Sequence, residues 1–158
     1  MIIQTKNFGE LNVDDNKVLF FPFALPGFPD VKEFFLIHKQ DKDGNDIQTF
    51  AYLQSIGEKD ITLPLIEISH FLPDYRFDID EDVLALIDTY SAEPFLIYNV
   101  MVVPENLADA RINLQAPIVI NLDNKKAMQI CMQGEYDLHY PLQQFLQKRE
   151  ADSHAGSH

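Results

Sequence analysis

The chain is short of the residues that would tie it to a secreted, membrane or nucleic-acid role. Its one cysteine, Cys131, leaves no partner for a disulfide within the chain. That suits a reducing cytoplasm. No apolar stretch approaches the roughly 18 residues that a membrane helix needs. The Phe95 to Val103 run is too short and contains Tyr98 and Asn99. Met1 is followed by the alternating Ile2-Ile3-Gln4-Thr5-Lys6, not by a charged segment and an apolar run, so no secretory signal is expected. Cations are scarce: 12 Lys and Arg stand against 25 Asp and Glu, a formal charge of -13. Nucleic acid is bound by cations that replace its counterions. Here they come as scattered pairs, Lys125-Lys126 and Lys148-Arg149. Direct binding to RNA, DNA or an anionic membrane is therefore not expected. The same field attracts a basic partner and speeds its encounter. It also keeps a protein soluble, and composition alone leaves both readings open.

Motifs that carry chemistry are equally scarce. Asp41-Lys42-Asp43-Gly44-Asn45 resembles the start of a calcium loop, which needs glycine at its sixth position and glutamate at its twelfth. Asp46 and Tyr52 stand there. Asp78, Asp80 and Asp82 alternate in the same way, but Val83 and Thr89 occupy the two critical positions. A solvated turn and a helix start favoured by acids explain these groups better. His38, His70 and His139 are isolated, and His154 and His158 lie among glycine and serine, so no metal site is expected. Alternation places Cys131 with Gln129 and Gln133, opposite Met128, Ile130 and Met132, and with no adjacent cation in the sequence it is read as a packing residue and not as a catalytic thiolate. There is no glycine-rich phosphate loop and no Gly-x-Ser-x-Gly elbow. No cofactor is implied. Acids that converge in space would still permit a small hydrolase, and a groove with exposed aromatics would permit a ligand- or carbohydrate-binding β-module.

What is present is mostly strand. At 158 residues the chain suits one domain. Val18 to Phe21 and Phe34 to Ile37 are short aromatic-rich apolar runs, as buried strands are. Between them Pro22, Pro26 and Pro29 exclude a sheet ladder, and Pro26-Gly27 marks a turn in a loop packed on the core. Asp43-Gly44-Asn45 predicts a hairpin turn before a strand at Thr49 to Ser55. Further strands are expected at Leu63 to Ser69, Phe71 to Phe77, Phe95 to Val103, Ile112 to Leu114, Ile118 to Leu122 and Ala127 to Met132. Asp123-Asn124 joins the last two. A helix is expected over Asp78 to Thr89, with Val83, Leu84 and Ile87 on its apolar face. Glu105 to Asp109 suits a helical turn. Pro141 to Glu150 suits a short helix with Pro in its first turn and Leu142, Phe145 and Leu146 on one side. Residues 151–158 are small and polar and are expected to be disordered. The expectation is one mainly-β domain, an antiparallel barrel-like or rolled sheet with one or two short helices. It spans residues 1–142, followed by a C-terminal extension over 143–158.

Negative charge is concentrated in one place. Asp74, Asp78, Asp80, Glu81, Asp82, Asp88 and Glu93 are opposed only by Arg76. A basic partner would relieve their mutual repulsion, although an ordinary solvated helix explains them too.

Several blocks together resemble the FliW proteins. They are Ile2-Ile3-Gln4-Thr5-Lys6-Asn7-Phe8-Gly9-Glu10-Leu11, then Phe21-Pro22-x-x-Leu25-Pro26-Gly27-Phe28, then Leu53-Gln54-Ser55 with Leu63-Pro64-Leu65-Ile66. The strongest is Asn113 to Asn121, leading to Gln129-Ile130 and Tyr140-Pro141-Leu142. The order matches that of the family over about residues 1–142. Two departures stand out: Ile68-Ser69 replaces a common Asp-Pro, and the segment after Leu142 is longer than expected. The resemblance implies a non-enzymatic cytoplasmic protein with two protein partners. One is flagellin. The other is CsrA, a small basic RNA-binding repressor of flagellin translation, which such proteins antagonise without occupying its RNA site. The acids Asp78, Asp80, Glu81 and Asp82, with Glu58 and Asp60, are the candidate CsrA contact. Pro26, Gly27, Asn113, Pro117 and Asn121 match the family blocks and are read as structural.

Overall fold

The computed structural model describes residues 1–67, 82, 85–87, 95–131 and 136–147. The expected strand at 71–77, most of the expected helix at 78–89, and the tail at 151–158 lie outside them.

Seven strands close a ring. In chain order the ring strands are β3 (Leu19–Phe20), β4 (Glu33–Gln40), β5 (Asp46–Ser55), β6 (Thr62–Ile66), β7 (Phe95–Val102), β9 (Ile118–Asn121) and β10 (Lys126–Gln129). Each of β3 to β7 pairs antiparallel with the next, β7 pairs with β9, and β9 with β10. A parallel contact of Lys126 with Phe20 joins β10 to β3 and closes the barrel. The mainly-β, barrel-like architecture expected from the sequence is the one observed. Closure removes strand edges that would otherwise recruit other chains.

Among the described residues four further elements lie on the barrel's outside. The hairpin of β1 (Ile2–Thr5) and β2 (Gly9–Asn12) brings Ile3 and Val13 onto Phe35. The helical stretch that includes Asp82 and Ala85 brings Ile87 onto Val119 and Met128. Two short strands, β8 (Arg111–Ile112) and β11 (Tyr140–Pro141), extend the sheet past the end of the β7–β9 pairing. A helix over 142–147 follows and packs Phe145 against Ile66, Met101 and Ile112. The barrel interior holds Phe21, Phe34, Leu53, Leu65, Tyr98 and Ile118. Most ring strands therefore bury both faces. Their sequences read as continuous apolar runs and not as alternation for that reason.

Local chemistry sets the turns. Asp41 accepts from the backbone N–H of Asp43 and of Asn45, and Gly44 turns the chain at φ +85°. The acids that mimic a calcium loop hold a hairpin instead. Pro64 lies inside β6, opposite Tyr52. It is tolerated because β7 pairs with β6 only at Leu65 and Ile66, leaving that edge free of a ladder at Pro64. Single 3-10 turns occur at Asp15–Lys17 and Leu107–Asp109, capped by the side chains of Asp14 and Asn106.

Two expectations need correction. The last helix does not begin at Pro141. Tyr140 and Pro141 pair with Ile112 and Arg111, and this non-local pairing overrides the local helical pattern. Leu146 is not on the buried side: it is 38% exposed, whereas Phe145 is fully buried. Strand lengths also differ. Partners supplied by neighbouring strands lengthen β4 and β5, whereas β8 ends at Ile112 and β10 at Gln129, with single backbone bonds from Asn113, Leu114 and Ile130 continuing beyond them.

Candidate functional site

The site grows from a turn. Leu25 accepts from the Phe28 N–H at 3.0 Å, with Pro26 and Gly27 between them. Proline fixes φ at the second position, and Gly27 takes φ +89° at the third, as a type II turn requires. Buried Leu25 anchors the turn to the core, and Phe28 packs against the core beside it.

A second segment faces this turn. Residues 113–117 bridge β8 to β9, and amides hold them in place. The Asn113 side chain accepts from the Gln115 N–H at 2.9 Å. Gln115 donates through Nε2 to the Tyr136 carbonyl at 2.8 Å, and Gln129 donates to the Ala116 carbonyl at 3.1 Å. Leu114 N–H donates to Asp137 O. Buried Pro117 has no N–H to donate, but its carbonyl accepts from Ile130 N–H and so continues the β9–β10 ladder.

Between the two lies a cleft of about 370 Å³ at one end of the barrel. Leu25, Pro26, Phe28, Leu63, Val100 and Leu138 make it mainly apolar, and Asn113, Gln115, Ala116, Gln129 and Cys131 also line it. Leu138, 44% exposed, and exposed Cys131 lie among its lining residues. Such a concave, apolar and rigidly framed surface suits an apolar side chain or a helical segment of another protein.

The sequence-derived site residues are distributed as follows. Pro26 and Asn113 both line the cleft, with Gly27 in the same turn. Asn121 lies at the far barrel end. Its side chain accepts from the Asp123 N–H and donates to the Ile87 carbonyl, which also accepts from Asn124 at 2.8 Å. Those two amides fasten the helical stretch to the β9–β10 turn. Glu58 and Asp60 are exposed on the β5–β6 loop, on the cleft side of the barrel. Buried Gln54 steadies that loop by donating to the Ser55 and Lys59 carbonyls, and Ser55 Oγ accepts from the Glu58 N–H. Asp82 is exposed on the helical stretch, whose Ile87 is fixed at the opposite end. Asp78, Asp80 and Glu81 lie outside the described residues. The sequence reading missed Leu63, Val100 and Leu138 as site residues. Leu63 stands in one of the family blocks, but nothing local in the sequence brings it together with Val100 and Leu138.

Among the described residues no group of three or more His, Cys, Asp or Glu side chains is placed to hold a metal ion. Burial pushes the Tyr98 phenol up to about 12, with the Glu67 carboxylate adding to the effect. Tyr98 belongs to the packed barrel core and not to the cleft. Among the described residues no helix is long and apolar enough to cross a membrane.

A small closed β-barrel with external helical elements and an apolar end cleft defines the fold class, and comparison with known proteins gives the family. The family model described as "FliW protein" matches residues 2–142. The chain belongs to the FliW family. It is 33% identical to the flagellar assembly factor FliW of Caldanaerobacter subterraneus subsp. tengcongensis, covering 98% of this chain and 100% of that protein. It is 32% identical to the flagellar assembly factor FliW of Caldicellulosiruptor saccharolyticus, covering 92% and 90%. A solved structure described as "Crystal structure of the flagellar assembly factor FliW" superposes with a TM-score of 0.78 at 26% identity, covering 90% of this chain and 96% of that one. The Caldanaerobacter match runs over 156 residues. The segment after Leu142 is thus not an addition relative to that protein.

Proposed function

We propose that this chain is a non-enzymatic flagellar assembly factor of the cytoplasm that binds flagellin and, separately, binds and antagonises CsrA. The observation that carries this reading is the apolar cleft built from the family's own blocks, Leu25 to Phe28 and Asn113 to Pro117. It offers flagellin a docking place for apolar side chains that are exposed before assembly. The charge of -13 supports the second partner. A repressor that holds RNA through cations is drawn to an acidic body, and docking that body beside the RNA weakens the RNA's hold through its field. The acids Asp78, Asp80, Glu81 and Asp82 are the proposed contact, and Glu58 and Asp60, on the cleft side of the barrel, form a second candidate patch.

The test is a titration of CsrA bound to a fluorescent flagellin-leader RNA. Adding this protein is expected to release the RNA. Repeating the titration with flagellin present reads whether the two partners exclude each other. Retention of RNA by CsrA at saturating protein, together with no co-elution with flagellin, would overturn the proposal.

A further inference from the structure

The barrel has a second mouth, at the end away from the cleft. Its walls are Leu19, Leu36, Leu96 and Leu122, and its volume is about 270 Å³. Leu19 belongs to the inner core, and Leu36 and Leu96 pack against that core, so the floor is apolar. The polar groups are Lys17, Lys125 and His38. Among the described residues no carboxylate lines it.

That composition runs against the chain. Acids outnumber cations 25 to 12, yet this mouth gathers two lysines and an imidazole around leucines. The elements that bring them are unrelated in sequence. Lys17 ends the first 3-10 turn, Lys125 sits at φ 62° in the β9–β10 turn, and His38 lies at an irregularity in β4. Lys125 Nζ donates to the Leu122 carbonyl, which holds the ammonium at the rim. The Nδ1 of His38 is buried and has no hydrogen-bond partner among the described residues. A buried polar atom in that condition is less favourable than a paired one. Asp14 and Asp46 line an adjoining depression that shares Lys17, Leu36 and His38. Their charge, within the acidic field of the whole chain, disfavours a polyanion.

We propose that this mouth binds a small amphipathic monocarboxylate. The alkyl tail lies on Leu19, Leu36 and Leu96, and the carboxylate accepts hydrogen bonds from Lys17 and Lys125. Barrel mouths suit one small ligand with an apolar body and a few fixed polar contacts. This inference does not rest on the flagellar reading, and the two fail separately.

The experiment titrates the full chain with sodium octanoate, followed by amide-resolved NMR and calorimetry. Octan-1-ol and octylamine serve as neutral and cationic controls. Octanoate is expected to saturate and to shift Leu36, His38 and Leu96. The double variant Lys17→Gln/Lys125→Asn is expected to weaken binding about tenfold or more, since charge-assisted hydrogen bonds are lost. Asparagine is chosen because it tolerates positive φ. Leu96→Phe, which fills the mouth and keeps both cations, is expected to weaken it similarly. Equal binding of octan-1-ol, undiminished binding by the double variant, shifts confined to the Leu25–Leu138 cleft, or no saturation would each overturn the proposal.

Discussion

Asn99 Nδ2 donates to the backbone carbonyl of Asn113 at 2.9 Å. The contact sits where β7 changes partners. Residues up to Tyr98 pair with β9, and Met101 onward pairs with β8. An amide fills the gap between two ladders and fixes the segment that forms one wall of the cleft. Asn113 N–H donates to the Val100 carbonyl on the same strand.

Asn99→Ala is therefore expected to destabilise the fold by about 1–3 kcal/mol, because a buried carbonyl loses its donor. Asn113→Ala removes only the turn bond to Gln115 and is expected to cost about 1 kcal/mol. Urea unfolding of the two variants checks the order. Equal losses would show that the side chain of Asn99 is not what holds the split.

Gly27→Ala is expected to cost about 1 kcal/mol, and Gly57→Ala close to nothing. A Cβ meets no atom within 4 Å at either site. Only Gly27 has positive φ, so the difference isolates backbone strain. Thermal melts of the pair read it directly.

Tyr98 supplies a pH signature. Its folded pKa, about 12, lies above the ordinary value of 10.0. The unfolded chain thus gives up this proton first. The associated stability is complete below about pH 10 and is lost as pH rises from 10 towards 12. Wild type minus Tyr98→Phe is expected to show that loss in denaturation midpoints at pH 9 and pH 11. A difference independent of pH would exclude a buried neutral phenol.

The C-terminal helix is expected to be part of the folded unit. Phe145→Ala opens a fully buried position and is expected to cost about 3–5 kcal/mol, with Leu146→Ala within about 1 kcal/mol. Calorimetric melting distinguishes this from a loosely attached extension, in which both changes would be small.

The two proposed partner surfaces separate by mutation. Leu138→Glu places a charge in the apolar cleft and is expected to weaken flagellin binding about tenfold while sparing CsrA. Asp80→Lys/Glu81→Lys/Asp82→Lys is expected to weaken CsrA binding and flatten its salt dependence. Unchanged CsrA affinity in the triple variant would move that contact to another surface, with Glu58 and Asp60 on the β5–β6 loop tested next.

The sequence by itself determined the strand-rich class, the Pro26-Gly27 and Asp43-Gly44 turns, the acidic field and the family. Each depends on residues close in the chain or on composition, and short-range chemistry suffices. Only the tertiary structure decided that Leu25 to Phe28 faces Asn113 to Pro117, that Asn121 and Asn124 fasten Ile87, and that Tyr140–Pro141 is strand and not helix. Those outcomes depend on which strand supplies the missing hydrogen-bond partner. A closed ring brings together donors and acceptors that are far apart in sequence, so no local window of residues contains the answer. Asn99 interrupts an apolar run in the sequence, but its partner, the Asn113 carbonyl, is set only by the fold.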